Sequence, residues 1–574
     1  IIKENKQKCM NEKLVKKVDV KVQRKSGFDK SHTNLFTTKV GTLTPVLCDE
    51  VIPNSTVDLK LNLSASLPPL ASDTFMRVDL KAEAFFVPYR LCYGGFEDWF
   101  VGNKVNYQPN NDSKVDVKFP VLKFNTWDEI KSGSLADYLG YRAAYTSSAF
   151  TSGATAVNPL PFVAYHRIWD DWYRNSLIQK SAFIRLVPNT TSLSANNPSR
   201  WNAATLPYFS YIDSESSPNQ NIISSKSNQG LLNDGKYLTD LRQRNFGYDY
   251  FTTATQLPQN GEQQKVSFTV ESVGTETAQG GVTVTGSSSI SIPAIRAANS
   301  LQQFMERNNL AGDRFVDRLK AHYGANLKDG IAQRPLLLGS ASFNVYSKGI
   351  YQTANQDSAS FSNPFSESVG AEFGKAYASG SDFIIKGFTA EEPGIIMVLV
   401  SLVPKVTYST GIRRMLTHYI GGPVTRDGKN GQVDLANPIL QNTGNQQIYG
   451  YELNGKPTDT SIFGYTDRYA EWKTMDDELH GLVRDGENLQ TFALQRSFID
   501  TGNSISSSFL EIPVDYMDQV AAVQSSISDY GVWVDSYMDY KVSMPLAEYS
   551  LPSLQDPAYE HGVDVSINRA GTHL

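Results

Sequence analysis

The chain has 574 residues, a formal net charge of −6, 40% hydrophobic residues, 41 Gly and 26 Pro. With 29 Tyr, 28 Phe and 7 Trp able to bury large areas, it is a folded protein and not a disordered one, and its near-neutral balance excludes a whole-protein nucleic-acid binder. Three cysteines, Cys9, Cys48 and Cys92, are too few for a disulfide framework and lack metal-ligand spacing, so reduced thiols made in a cytosol are expected.

Residues 1–30 hold ten Lys/Arg against four Asp/Glu, about +6, which leaves about −12 for the rest. Lys13, Lys16, Lys17, Lys21, Arg24 and Lys25 are therefore candidates for contact with an anionic partner such as nucleic acid, the plainer alternative being a solvated tail. No apolar run follows these lysines, so no secretory signal is expected, and Met10 is a candidate start residue. The most apolar run, Ile395 to Val403, is too short for a membrane span and reads as a buried strand.

Residues 55–67 alternate, with Val57, Leu59, Leu61, Leu63, Ala65 and Leu67 on one side and Asp58, Lys60, Asn62, Ser64 and Ser66 on the other. Period two with one polar face predicts an antiparallel strand covering a core on one side. Residues 75–88 repeat the pattern and stop at Pro88. A short helix is predicted around Phe96–Val101. In 159–180, Tyr165, Ile168, Trp169, Trp172 and Tyr173 recur at helical spacing. Such an aromatic face packs into a core or onto a neighbouring subunit, which makes Tyr165, Arg167, Trp169 and Trp172 inter-subunit candidates.

Residues 186–290 are polar and rich in Ser, Asn and Gly. Within them Lys265–Val270 and Gly281–Thr285 alternate like a small exposed hairpin. The stretch Ile292–Gly324 reads as two short helices: Ser291 caps, Pro293 suits the first turn, and Ile295, Ala298, Leu301, Phe304 and Met305 form one apolar stripe. Gly312 breaks it, and a second run ends at Gly324. Arg296, Arg307 and Arg314 are candidates for interface or buried pairs. Further on, Phe383–Phe388 and Gly394–Tyr408 suggest paired strands joined at Glu391–Gly394, the second apolar on both faces and so central. Val532–Met544 alternates again. Similar strands early and late, separated by long insertions, favour one closed Greek-key sandwich.

No motif nominates an active site. Gly421–Lys429 lacks Walker spacing, there is no HExxH, CxxC or GxSxG, and the seven histidines are scattered. Asp170-Asp171 and Asp476-Asp477-Glu478 could hold a cation but read better as exposed acids. No enzyme activity, cofactor or metal is expected. A glycan hydrolase on a β-sandwich and a monomeric lectin-like module are the rival classes; the first would need a pair of essential carboxylates.

Ten short motifs in order carry a resemblance: Ser26-Gly-Phe-Asp-Lys-Ser-His32, Cys48–Pro53, Glu83–Leu91, Leu160–Arg174, Leu301–Arg307, Gly312–Phe315, Leu319–Gly324, Gln333–Gly339, Gly387–Gly394 and Phe463–Trp472. Together they resemble the major capsid proteins of microviruses, small icosahedral single-stranded-DNA bacteriophages, on the gokushovirus branch. The resemblance implies a mainly β fold, an eight-stranded antiparallel jelly roll with long loop insertions and a few helices. It implies a homo-oligomer of sixty copies in a T=1 virion shell, assembled in the bacterial cytoplasm around circular single-stranded DNA. Implied partners are that DNA, directly or through a small basic DNA-binding protein, an internal scaffolding protein, a pilot protein and a host surface receptor, with no membrane insertion. On this reading 1–25 is a basic arm, 26–574 one jelly-roll domain of discontinuous segments, 212–290 a surface protrusion and 292–324 a helical insertion.

Overall fold

The computed structural model describes residues 25–101, 119–142, 146–153, 156–182, 231–257, 334–351, 372–417, 445–467, 469–498 and 504–546. Short pieces are added at 104–105, 115–116, 186–188, 210–212 and 222–224, and at Arg296, Ser300 and Leu301. Two antiparallel sheets face each other. The strands that form them are β1 (Ser26–Asp29), β2 (His32–Thr38), β3 (Thr44–Val51), β4 (Thr56–Ser66), β5 (Val78–Pro88), β6 (Leu336–Asn344), β7 (Tyr346–Tyr351), β8 (Glu372–Thr389), β9 (Gly394–Pro404) and β10 (Val532–Met544). One sheet runs β1-β10-β4-β8-β7 with β2 also on β10; the other runs β6-β5-β9-β3. The chain crosses between the sheets at β2–β3, β3–β4, β4–β5, β6–β7, β8–β9 and β9–β10, while β5–β6 and β7–β8 stay within one sheet, and β10 closes the first by slotting between β2 and β4. This is jelly-roll connectivity. The sheets have six and four strands because β1 and β2 are one edge interrupted at Lys30-Ser31, and β7 extends the far side.

The alternating residues do what their period dictates. Val57, Leu59, Leu61 and Leu63 of β4, and Val532, Val534, Met538, Tyr540 and Val542 of β10, turn into the space between the sheets. There they meet Leu80, Ala82 and Ala84 of β5. β9 is buried along its whole length and serves two cores. Ile396, Val398, Val400 and Leu402 enter the inter-sheet core, while Ile395, Met397 and Leu399 enter a second core behind the four-stranded sheet. That second core is roofed by the helix Leu160–Ile168 and the segments carrying Leu122, Phe124, Leu232 and Leu238. A third core gathers Tyr250, Phe251, Tyr408, Ile448, Phe463 and Phe509.

One expected pairing is corrected. Phe383–Phe388 and the strand from Gly394 do not pair: β8 lies on β4 in the large sheet, and β9 lies between β3 and β5 in the small one. Among the described residues only the four-stranded sheet is covered on both faces, so the doubly apolar β9 belongs there, and the Ala390–Pro393 link crosses between sheets. Ala390 exchanges backbone hydrogen bonds with the other crossing corner, accepting from Asn54 N at 2.7 Å and donating to Ser55 O at 2.9 Å.

The expected insertion 212–290 is also corrected in part. Residues 231–257 thread between the cores, with Leu232, Leu238, Phe246, Tyr250 and Phe251 buried, so they do not protrude. Residues 258–290, with the predicted hairpin, lie outside the described residues, as do 1–24 and most of the helical stretch 292–324. Arg296, Ser300 and Leu301 are helical; Leu301, placed on a buried stripe by its spacing, is 45% exposed. Cys48 is a free thiol, and burial pushes it up to about 12.

Candidate assembly surfaces

The helix Leu160–Ile168 follows Asn158, whose Oδ1 accepts the Leu160 N–H at 2.9 Å, and Pro159 and Pro161 fit its start. It runs into a wider turn, Trp169–Tyr173, of the π type often found where several side chains must be aimed at once. Tyr165 donates to Leu43 O at 2.8 Å and accepts the Arg242 N–H at 2.8 Å. Trp169 donates to Gln243 O at 2.9 Å, under the Arg242 guanidinium at 4.4 Å. Tyr165 and Trp169 are both buried in the chain's own second core. The neighbour-facing reading of these two thus gives way to intrachain packing, because no surface of Tyr165 is left for another copy. Trp172 is half-buried, donates to Pro335 O at 2.9 Å and lies under Arg334. Arg167 pairs with Asp171 at 2.7 Å, and Arg174 with Asp170 at 2.8 Å. Asp170 also accepts from Ser181 and the Ala182 N–H, so this acidic pair is spent on holding its own turn. Arg296 is exposed on its helix; Arg307 and Arg314 lie outside the described residues.

Sequence reading missed the groups that lock this region, since their partners are far apart in the chain, 161 residues for Arg244 and Glu83. Arg242 is clamped between Asp234 and His166, donating Nε–H to His166 Nδ1 at 2.8 Å. His166 Nε2 donates to Leu238 O at 2.9 Å, which fixes the neutral tautomer. Burial first, and then the Arg242 charge, hold His166 well below its ordinary value. Arg244 forks onto Glu83 at 2.7 and 3.2 Å and also donates to Ser401 Oγ at 3.0 Å. Glu83 also accepts from Tyr173. Arg496, itself buried, lies 4.1–5.0 Å from the rings of Phe509, Phe246 and Phe498 and ties the first core to the third.

Beside the third core is an open cavity of about 950 Å³, lined by Phe251, Tyr408, Arg413, Trp472, Met475 and Asp476 among others. Its charges are internally paired: Arg413 forks onto Glu478 at 2.5 and 2.6 Å, and Arg414 sits 3.7 Å from Glu452 and 3.9 Å from Glu471. Asp476 accepts the Tyr250 N–H, and burial, followed by the nearby Asp249 charge, pushes it up to about 6. The folded chain therefore holds a proton on Asp476 that the unfolded chain has released between about pH 4 and 6, so its contribution to stability falls as pH rises through that window. Asp476→Asn, which keeps an acceptor for Tyr250, is expected to raise the thermal midpoint at pH 7.5 and to lose that gain at pH 4. Equal shifts at both values would contradict this. Among the described residues no cluster of His, Cys, Asp or Glu is arranged to hold a metal, and no helix is long and apolar enough to cross a membrane.

The solvent face of the large sheet is the other conspicuous surface. Leu35, Tyr346, Ile350, Tyr377, Phe383, Trp533 and Tyr537 are all exposed there, whereas the outer side of the small sheet is covered by the second core. Lys25, the one described member of the basic set, is exposed just before β1. Among the described residues no catalytic constellation accompanies these surfaces.

Comparison with known proteins agrees with that architecture. The family described as "Capsid protein (F protein)" matches residues 17–554. The chain is 24% identical to capsid protein VP1 of Chlamydia phage 1, over 93% of this chain and 96% of that protein. It is also 24% identical to capsid protein VP1 of Bdellovibrio phage phiMH2K, over 92% and 95%. Against capsid protein VP1 of Spiroplasma virus 4 the identity is 22%, over 91% and 94%. With a jelly roll of two opposed sheets, buried arginines that brace long insertions and a family match across nearly its whole length, the chain belongs to the phage capsid protein (F protein) family: it is a structural, non-enzymatic protein of the virion, built to assemble with copies of itself.

Proposed function

We propose that this protein is the major shell subunit of a small icosahedral phage, sixty copies forming a T=1 capsid around a circular single-stranded DNA genome. The observation that carries the reading is the family match over residues 17–554 on a chain whose strands cross repeatedly between two opposed sheets. A closed sandwich leaves few edges for uncontrolled pairing, and long insertions supply the isologous and heterologous contacts a closed shell needs. Trp172 and Arg167, at the rim of the second core, and Arg296, Arg307 and Arg314 remain the proposed inter-subunit residues.

The basic arm 1–25 faces the genome in this proposal, directly or beside a small basic DNA-binding protein, with a scaffolding protein acting in assembly and a pilot protein in delivery. Residues 258–290 are the part of the polar insertion retained as the surface protrusion that meets a host receptor. The test is gradient sedimentation of lysates with nuclease digestion. Nuclease-resistant single-stranded DNA should co-sediment with the chain in particles, and deletion of 259–286 should keep those particles while lowering adsorption to host cells. DNA that is fully digested in the chain's fractions would overturn the packaging role, and loss of particles on deletion would overturn the protrusion.

A further inference from the structure

The outer face of the large sheet, which no other described residues cover, has a regular chemical pattern that its neighbours across the strands make explicit. One row reads Thr37, Trp533, Ser66, Tyr377, Tyr346 across β2, β10, β4, β8 and β7. Two residues along lie Asp535, Ser64 and Ser379, then Tyr537, Asn62 and Ser381, then Asp539, Lys60 and Phe383. On the other side of the first row, Lys375 lies directly opposite Lys348. The result is a floor of small polar side chains on β4 and β8, walled by Trp533 and Tyr537 on one side and by Tyr377 and Phe383 on the other. All four rings are 45–50% exposed.

The lysines here are uncommitted. Lys60, Lys348, Lys375 and Lys386 make no ion pair among the described residues. Lys60 and Lys386 instead lie 5.5 and 5.2 Å from the centre of the Phe383 ring. Two like charges opposed across a strand pair cost stability unless an anion lies between them. The carboxylates on this face are largely engaged or displaced toward β10. Asp539 pairs with Lys541 at 3.2 Å, Asp58 accepts the Gly387 N–H at 2.6 Å, and Asp382 accepts the Phe383 N–H at 2.8 Å. Those hydrogen bonds leave the carboxylates charged, but on this face β7 and β8 carry Lys348, Lys375 and Lys386 against Asp382, so that side is basic, while Asp535 stands on the far side.

We infer that this face is a stacking platform for single-stranded nucleic acid, with bases lying on Trp533, Tyr537, Tyr377 and Tyr346 and phosphates meeting Lys60, Lys348, Lys375 and Lys386. Exposed rings separated by small polar residues and lysines suit unpaired bases with a charged backbone. A protein partner would instead select a contiguous apolar centre with lysine depleted. Asn62 is the one amide fork in the described rows and no Arg stands in them, so rings and phosphate contacts dominate and the contact is largely sequence-tolerant, as a packaged genome requires. The inference rests on the capsid reading above and adds to it that the large sheet faces the lumen.

The test is ultraviolet cross-linking of intact, DNA-filled particles, followed by peptide mapping, together with oligothymidine binding to the purified full chain. Nucleotide adducts are expected on peptides that contain Trp533, Tyr537, Tyr377 or Tyr346. Removing one ring, as in Trp533→Ala or Tyr377→Ala, should weaken oligothymidine binding about tenfold. The double change Lys348→Gln and Lys375→Gln should lower the salt-dependence slope by about 1.4. DNA-filled particles whose adducts avoid this face, or whose sheet cross-links to another protein, overturn this inference alone. A wild-type chain that builds no particles overturns the capsid reading and this one with it.

Discussion

Replacing Gly374 with alanine is expected to destabilise the chain by about 3 kcal/mol or more, a large share of a domain's typical margin. A Cβ at that position would lie 2.0 Å from the backbone oxygen of Ser72 and 3.0 Å from the Leu70 side chain. Neither can yield cheaply, because Gly374 and Leu70 are tied by two backbone hydrogen bonds of 2.8 and 3.1 Å, while Gly374 also pairs with Gly349 on β7. The close approach is what lets the loop after β4 seal the end of the first core. Gly27→Ala is the control: its Cβ would meet nothing within 4 Å, and the change should be nearly neutral. Denaturant midpoints for the two variants check this, and a Gly374→Ala midpoint equal to that of the control would refute the packing argument.

Arg242→Ala is expected to cost about 3–5 kcal/mol, because it strands Asp234 and leaves His166 Nδ1 without its donor. Arg242 is 3% exposed and Asp234 11%, so solvent cannot replace the lost partner. Arg242→Lys should recover little, since an ammonium cannot serve His166 and both Asp234 oxygens while stacking on Trp169. The same cluster carries a pH signature. The folded chain keeps His166 neutral where the unfolded chain takes up a proton, so stability is lost as pH falls below about 6.5. His166→Gln should flatten that limb, whereas Asp476→Asn acts on the opposite slope. Urea titrations at pH 5 and pH 7.5 separate the two, and an Arg242→Ala variant within 1 kcal/mol of wild type would contradict the account.

The sheets were the most legible part of the sequence, because period-two alternation reports which face is buried without reference to any partner. Val57–Leu67, Val78–Phe86 and Val532–Met544 each carry that signal, and each is a strand with the predicted face inward. Partner choice was not legible. The apolar run from Ile395 reads as central, but nothing local says that it leaves β8 for the opposite sheet. Long-range polar contacts were hidden for the same reason, since Glu83 and Arg244 become a pair only once the cores form. The aromatic spacing of Tyr165 and Trp169 predicted a buried face, and the structure shows that the chain itself provides the cover. The outer rings of the large sheet were invisible one strand at a time. Trp533, Tyr377 and Tyr346 fall in one row only through the register of four strands.

The central claim is that copies of this chain close into a shell, and cryo-electron microscopy of particles from a phage-producing culture tests it most directly. The account predicts isometric particles of about 25–30 nm. Icosahedral averaging should resolve one jelly roll per asymmetric unit, with the β10-β4-β8 face turned toward the density of the genome. Particles absent at every stage of infection would contradict the shell, and a shell whose large sheet faces the medium would contradict the role assigned to Trp533 and Tyr377.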